Sequence, residues 1–224
     1  MSRGLGDVYK RQVLSSIQND PKRLKDAYCR IIKTTMLITF ACMIGLAAIA
    51  KPLIIVLIGE KWLQAVYFLQ IVCFAGMLYP LHAINLNILQ VKGRSDLFLN
   101  LEIIKKLIAV GPIVAGVFWG IEYMLWGSVL TSFISFFLNS YYSADLINYS
   151  TWKQIKDILP ALLVSGITAL AMWSLTLLDM PMCFLLLLQC LLGLILSTFI
   201  YERLQLEEYL EVKRIILSLL NRKK

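Results

Sequence analysis

Residues 182–201, MCFLLLLQCLLGLILSTFIY, hold no charged side chain and are long enough to cross the roughly 30 Å hydrocarbon core of a bilayer as one helix. Working back toward the N-terminus, five more apolar runs of similar length appear at 158–178, 124–144, 103–120, 66–89 and 34–58. The run at 34–58 is interrupted by Lys51 and Pro52, and is read as one span bent at the proline. Gly59, Glu60, Lys61 and Trp62 then form a turn with an interfacial aromatic. The composition agrees. Of 224 residues, 59% are hydrophobic and 16% charged, and the mean hydropathy is +0.73. Soluble domains run nearer 45–50% apolar and about 25% charged, so a large soluble domain is excluded. The predicted fold is an all-α integral membrane protein with about six transmembrane helices.

The net charge of +8 could suggest nucleic acid, but the basic residues sit between the apolar runs rather than on one exposed face. No nucleic-acid partner is expected. Counted between the six spans, twenty Lys and Arg fall on one side of the membrane and two, Lys51 and Lys61, on the other. The positive-inside rule then puts both ends of the chain in the cytoplasm.

The segments expected from this reading are 1–12, 13–33 (cytoplasmic), 34–144 (four spans), 145–157 (a cytoplasmic connection), 158–201 (two spans) and 202–224 (a cytoplasmic tail). The first of these, MSRGLGDVYKRQ, has no apolar core of a secretory signal and reads as a translated sequencing adapter, which makes the chain an expected fragment. In the tail, Leu206, Tyr209, Leu210, Ile216, Leu219 and Leu220 alternate with charged residues at helical spacing, as in an amphipathic helix on a leaflet surface or an ordinary solvated one.

Polar residues inside the spans are the candidate site. In the second run Tyr79, His82, Asn87 and Gln90 fall within roughly 140° of one another on a helical wheel, with Asn85 to one side. A polar arc at membrane depth faces protein or water, and Pro80 within it would bend the helix. The arc either lines a cavity or pairs with neighbouring helices. His82, the single histidine, is read as a hydrogen-bonded structural residue rather than a proton sensor. In the fourth run Ser128, Ser132, Ser135 and Asn139 lie within about 60° on one face, a stripe suited to close helix packing or to a hydrophilic lining. Lys92, Arg94, Lys105 and Lys106 flank the turn between the second and third spans. They could hold a lipid phosphate or diphosphate, or simply meet the positive-inside rule.

Cys29, Cys42, Cys73, Cys183 and Cys190 are scattered without a C-x-x-C pair, so no metal site or disulfide framework is expected. No nucleotide-binding loop, nucleophile elbow or zinc-helix motif is present, and neither an enzyme nor a cofactor is expected.

The stretches VLSSIQND (13–20), IGLAAIAKPLIIVLIGEKW (44–62), CFAGMLYPLHAINLNILQVKGRSDL (73–97) and WGIEYMLWGSVLTSFISFFLNSYY (119–142) resemble bacterial lipopolysaccharide biosynthesis proteins. These are Wzx-type polysaccharide transporters of the multidrug/oligosaccharidyl-lipid/polysaccharide flippase superfamily. The resemblance implies the C-terminal part of a two-lobed transporter of about twelve to fourteen helices. It implies flipping of undecaprenyl-diphosphate-linked oligosaccharide across the bacterial inner membrane by alternating access, coupled to an ion gradient. The implied partners are that lipid-linked oligosaccharide, membrane lipids and the polysaccharide polymerase and chain-length machinery. The alternatives are a multidrug-type solute antiporter of the same superfamily and a non-transport membrane subunit of polysaccharide assembly.

Overall fold

The computed structural model describes residues 20–178, 180–210 and 212–214. The leader 1–12 and the tail beyond 214, with Ile216, Leu219 and Leu220, lie outside the described residues. The described residues form helices joined by short turns, with no strand among them: α1 (Pro21–Ala48), α2 (Ala50–Ile58), α3 (Leu63–Gly76), α4 (Tyr79–Val91), α5 (Ser95–Trp119), α6 (Ile121–Ile147), α7 (Thr151–Ser174) and α8 (Met182–Arg203). Short 3₁₀ turns at Glu60–Trp62 and Leu175–Leu177 complete the order.

The chain chemistry explains the boundaries. α1 starts at Asp20, whose carboxylate accepts from the backbone N–H of Lys22 and of Arg23, both at 3.1 Å, with Pro21 preset in the first helical position. The expected single span at 34–58 is divided instead. Pro52 has no N–H for the carbonyl of Ala48, and the helix breaks there, at Ile49, before resuming as α2. The second expected span is broken in the same way: Pro80 cannot bond to Gly76, α3 ends at Gly76, and α4 starts three residues later. Gly93, at φ 71°, closes α4 with bonds from its own N–H to Gln90 and from the Arg94 N–H to Leu89, the paired pattern that satisfies terminal carbonyls.

α5 and α6 form a tight hairpin through Gly120, at φ 102°. Their approach depends on glycine. A Cβ on Gly116 would sit 2.8 Å from Cβ of Met124, and one on Gly127 would sit 3.0 Å from Cβ of Pro112.

Five helical stretches are long and apolar enough to cross a membrane: Pro21–Ala48, Glu60–Val91, Ile121–Ile147, Thr151–Leu177 and Met182–Arg203. The remaining expected span, 103–120, is helical as part of α5, but Glu102 just before it and Lys105 and Lys106 near its start leave a shorter uncharged run. The protein is an all-α, multi-pass integral membrane protein.

The described residues separate into two compact units. The first holds residues 20–35 with Phe74–Asp157. Its core includes Leu86, Leu89 and Leu101, covered by Leu97, Phe98, Leu138, Tyr142 and Leu146. The second holds Met36–Cys73 with residues 158–214, and packs Ala48, Ala169 and Met172 beneath Ile44 and Ile49. In the second unit the residues after α8 turn back, so that the rings of Tyr201 and Tyr209 stack at 5.6 Å and Lys213 pairs with Glu202.

Candidate functional site

In the first unit α4 and α6 bring the two polar stripes of the sequence together. The Ser132 hydroxyl donates to the carbonyl of Ala75 at 2.9 Å, and the same oxygen lies 3.2 Å from Nε2 of His82. Because the single hydroxyl proton is committed to Ala75, Nε2 of His82 is the donor, and Nδ1 carries the lone pair. That Nδ1 is buried with no hydrogen-bond partner. Seven residues further along the same face of α6, Asn139 is fully buried and neither atom of its amide is bonded. Oε1 of Gln90 is buried and unpartnered as well. An unmade hydrogen bond of this kind costs about 1–3 kcal/mol, so these atoms are free to accept or donate to a polar partner.

The other predicted residues are distributed less uniformly. Asn87 is buried, whereas Tyr79 is 60% exposed. Ser128 bonds back within its own helix, to the carbonyl of Leu125 at 2.6 Å, and Ser135 is half-buried. Of the basic group, Arg94 is held by a two-point contact with Asp96, both bonds at 3.0 Å, and Lys105 pairs with Glu102 one turn away. The guanidinium beside it holds the Asp96 carboxyl below the usual carboxylate range. Lys106 is exposed and Lys92 half-buried. Two of the four cations are thus engaged by carboxylates of their own stretch of chain.

Asn85, set to one side by the helical wheel, is the hub of a fully buried network. Its Oδ1 accepts from the hydroxyls of Tyr28 and Ser143, the latter at 2.8 Å, and its Nδ2 donates to Oε1 of Gln154 at 3.2 Å. One amide thus joins α1, α4, α6 and α7 within the first unit. A sequence signal existed, since Ser143 continues the α6 stripe four residues past Asn139. Beside this network the buried Tyr149 hydroxyl donates to Asp157 at 2.6 Å, and Lys33 lies 4.0 Å from the same carboxylate. Burial, and then the bond to the carboxylate, push the Tyr149 phenol well above its ordinary range. Lys25 donates to the carbonyl of Asn148 at 2.8 Å.

The features define a class: a multi-pass α-helical membrane protein that keeps polar side chains inside its helices. The comparisons narrow that class. A family described as "Polysaccharide biosynthesis protein" matches residues 11–67. The chain is 29% identical over 106 residues, 47% of its length, to an "Uncharacterized membrane protein in cps region" of Klebsiella pneumoniae. It is 34% identical over 74 residues, 33% of its length, to the "Teichuronic acid biosynthesis protein TuaB" of Bacillus subtilis. It is 24% identical over 102 residues, 46% of its length, to the "Lipopolysaccharide biosynthesis protein WzxC" of Escherichia coli. These stretches cover 22%, 15% and 21% of the respective relatives' own lengths. No solved structure matches. The chain is similar, along part of its length, to membrane proteins of polysaccharide biosynthesis.

Proposed function

We propose that this chain is part of a transporter that flips a lipid-linked oligosaccharide, an undecaprenyl-diphosphate-linked polysaccharide precursor, across the bacterial inner membrane. The observation that carries the reading is the buried seam of α4 and α6, where His82, Gln90 and Asn139 keep unpartnered polar atoms at membrane depth. A sugar offers neutral hydroxyls that both donate and accept, which is the complement of an imidazole lone pair and two carboxamides. The similarity to lipopolysaccharide and teichuronic acid biosynthesis proteins supports the same substrate class.

In this reading the seam is closed in the present conformation and opens during alternating access, with the lipid tail left in the bilayer. The protein acts as a transporter and not as an enzyme, draws on an ion gradient, and keeps both ends of this chain in the cytoplasm. Lys92 and Lys106 are the cations best placed to meet a diphosphate, since Arg94 and Lys105 are engaged by Asp96 and Glu102.

The test uses the intact protein in a strain that lacks the matching flippase. Asn139→Leu and His82→Leu should insert into the membrane at normal levels and lose surface polysaccharide. Full restoration by both variants would overturn the proposal.

A further inference from the structure

His82 is bonded through only one of its two ring nitrogens. Its Nε2–H donates to the Ser132 hydroxyl oxygen at 3.2 Å, and Ser132 donates its own proton to the carbonyl of Ala75, so this short chain holds α4 against α6. Nδ1 is buried and carries a lone pair with no partner.

The groups around the ring decide what a proton on Nδ1 would do. From α5 comes Lys105, whose charge acts on His82 and whose ammonium is paired with Glu102. On α6 no charge lies at this level, since Glu122 and Asp145 stand about 15 and 20 Å along the helix from Ser132. Residues 74–76 of α3 carry no titratable group, Tyr28 of α1 is taken by Asn85, and on α4 itself the nearest such group is the exposed Tyr79. The unpartnered acceptors on Gln90 and Asn139 lie about 12 and 10 Å further along their own helices. In the closed seam a proton on Nδ1 would therefore be a buried N–H without an acceptor, on a ring whose charged neighbour is also a cation.

We propose that His82 is a proton-binding site, and that a proton arriving at Nδ1 opens the seam between α4 and α6. The inference rests on the transport reading, in which that seam opens, and it names the proton as the ion whose gradient moves it. Opening brings Nδ1 to water, which accepts from the new N–H and screens the ring from Lys105. Loss of the proton restores the lone pair and lets His82, Ser132 and Ala75 close the seam again. The proton shifts the equilibrium by the difference in its affinity for the two conformations.

The experiment is thiol accessibility of Asn139→Cys, at a fully buried position of the seam, in the intact transporter in lipid nanodiscs. The reagent is a water-soluble maleimide, and labelling is read peptide by peptide by mass spectrometry. Each rate is divided by that of Ser150→Cys, an exposed position before α7. Both thiols stay protonated between about pH 5 and 7, so the ratio cancels the pH dependence of the reagent. The ratio should rise about tenfold as the pH falls across this range, as one unmade buried hydrogen bond predicts. With His82→Gln added, which takes up no proton, the ratio should stay flat, and His82→Asn gives the same comparison if that protein does not insert.

A ratio that is measurable but flat with His82 in place would overturn the inference and leave the transport reading standing. So would an equal rise with His82→Gln. Asn139→Cys unlabelled at every pH would mean that the seam does not open, and would overturn both.

Discussion

The first unit buries Asn85, Asn87, Asn139, Ser140, Ser143 and Gln154, whereas the second buries Ser165, Thr168 and Gln189 along otherwise apolar helices. Both sets lie largely in helices fit to cross a bilayer, but they are satisfied differently. In the first unit the Asn85 amide is bonded at both ends, whereas the Asn139 amide has no bond and His82 and Gln90 each keep one unpartnered atom. In the second, Gln189 donates to the carbonyl of Met172 at 2.8 Å, and the Thr168 hydroxyl is buried without a partner. The contrast separates polar residues that hold helices together from polar residues that await a partner. Residue type alone does not make that distinction, because asparagine appears on both sides of it.

The sharpest way to break the comparison is to exchange the two asparagines. Asn85→Leu leaves Tyr28, Ser143 and Gln154 without their shared partner, and should cost roughly 3 kcal/mol of stability. It should appear as a large drop in melting temperature in detergent. Asn139→Leu removes an amide with no bonds to lose, so it should leave stability unchanged or raise it by about 1–2 kcal/mol while polysaccharide export falls. Similar destabilisation by both variants, measured side by side, would erase the division.

The glycines sharpen it with a smaller effect. Gly127→Ala places a Cβ against Pro112 and should destabilise the α5–α6 hairpin by about 1–2 kcal/mol. Gly45→Ala enters open space and should stabilise by about 0.5–1 kcal/mol through helix propensity alone. Thermal melts of the two variants should move in opposite directions.

The smallest effect is the pH dependence that Tyr149 gives the first unit. The folded-state pKa of Tyr149 is raised above its unfolded value near 10, so its contribution is complete below about pH 10 and is lost as the pH rises further. Melting temperature should therefore fall above pH 10, and Tyr149→Phe should make that fall shallower. An identical profile for both proteins would remove Tyr149 as the cause.

Much of this protein was legible one run at a time. The apolar stretch 182–201 became α8, the turn after Ile58 formed at Gly59–Trp62, and the stripes at Tyr79–Gln90 and Ser128–Asn139 fell on the helices α4 and α6. The proline effects were legible in kind but not in degree. Pro52 and Pro80 each interrupted a helix where a bend was expected, because a proline has no N–H for the carbonyl four residues back. Tyr79 is exposed although Asn87 of the same arc is buried, because a neighbour decides which part of the arc is covered.

The sequence by itself determined that this is a membrane protein of α-helices, since apolar length and charge placement are properties of the chain and the bilayer imposes one solution on the backbone. Which asparagine is a fastener and which is an open hand was decided by tertiary structure. Asn85 and Asn139 carry the same side chain in runs of the same character, and the difference lies in whether Tyr28, Ser143 and Gln154, distant in sequence, arrive within 3.2 Å.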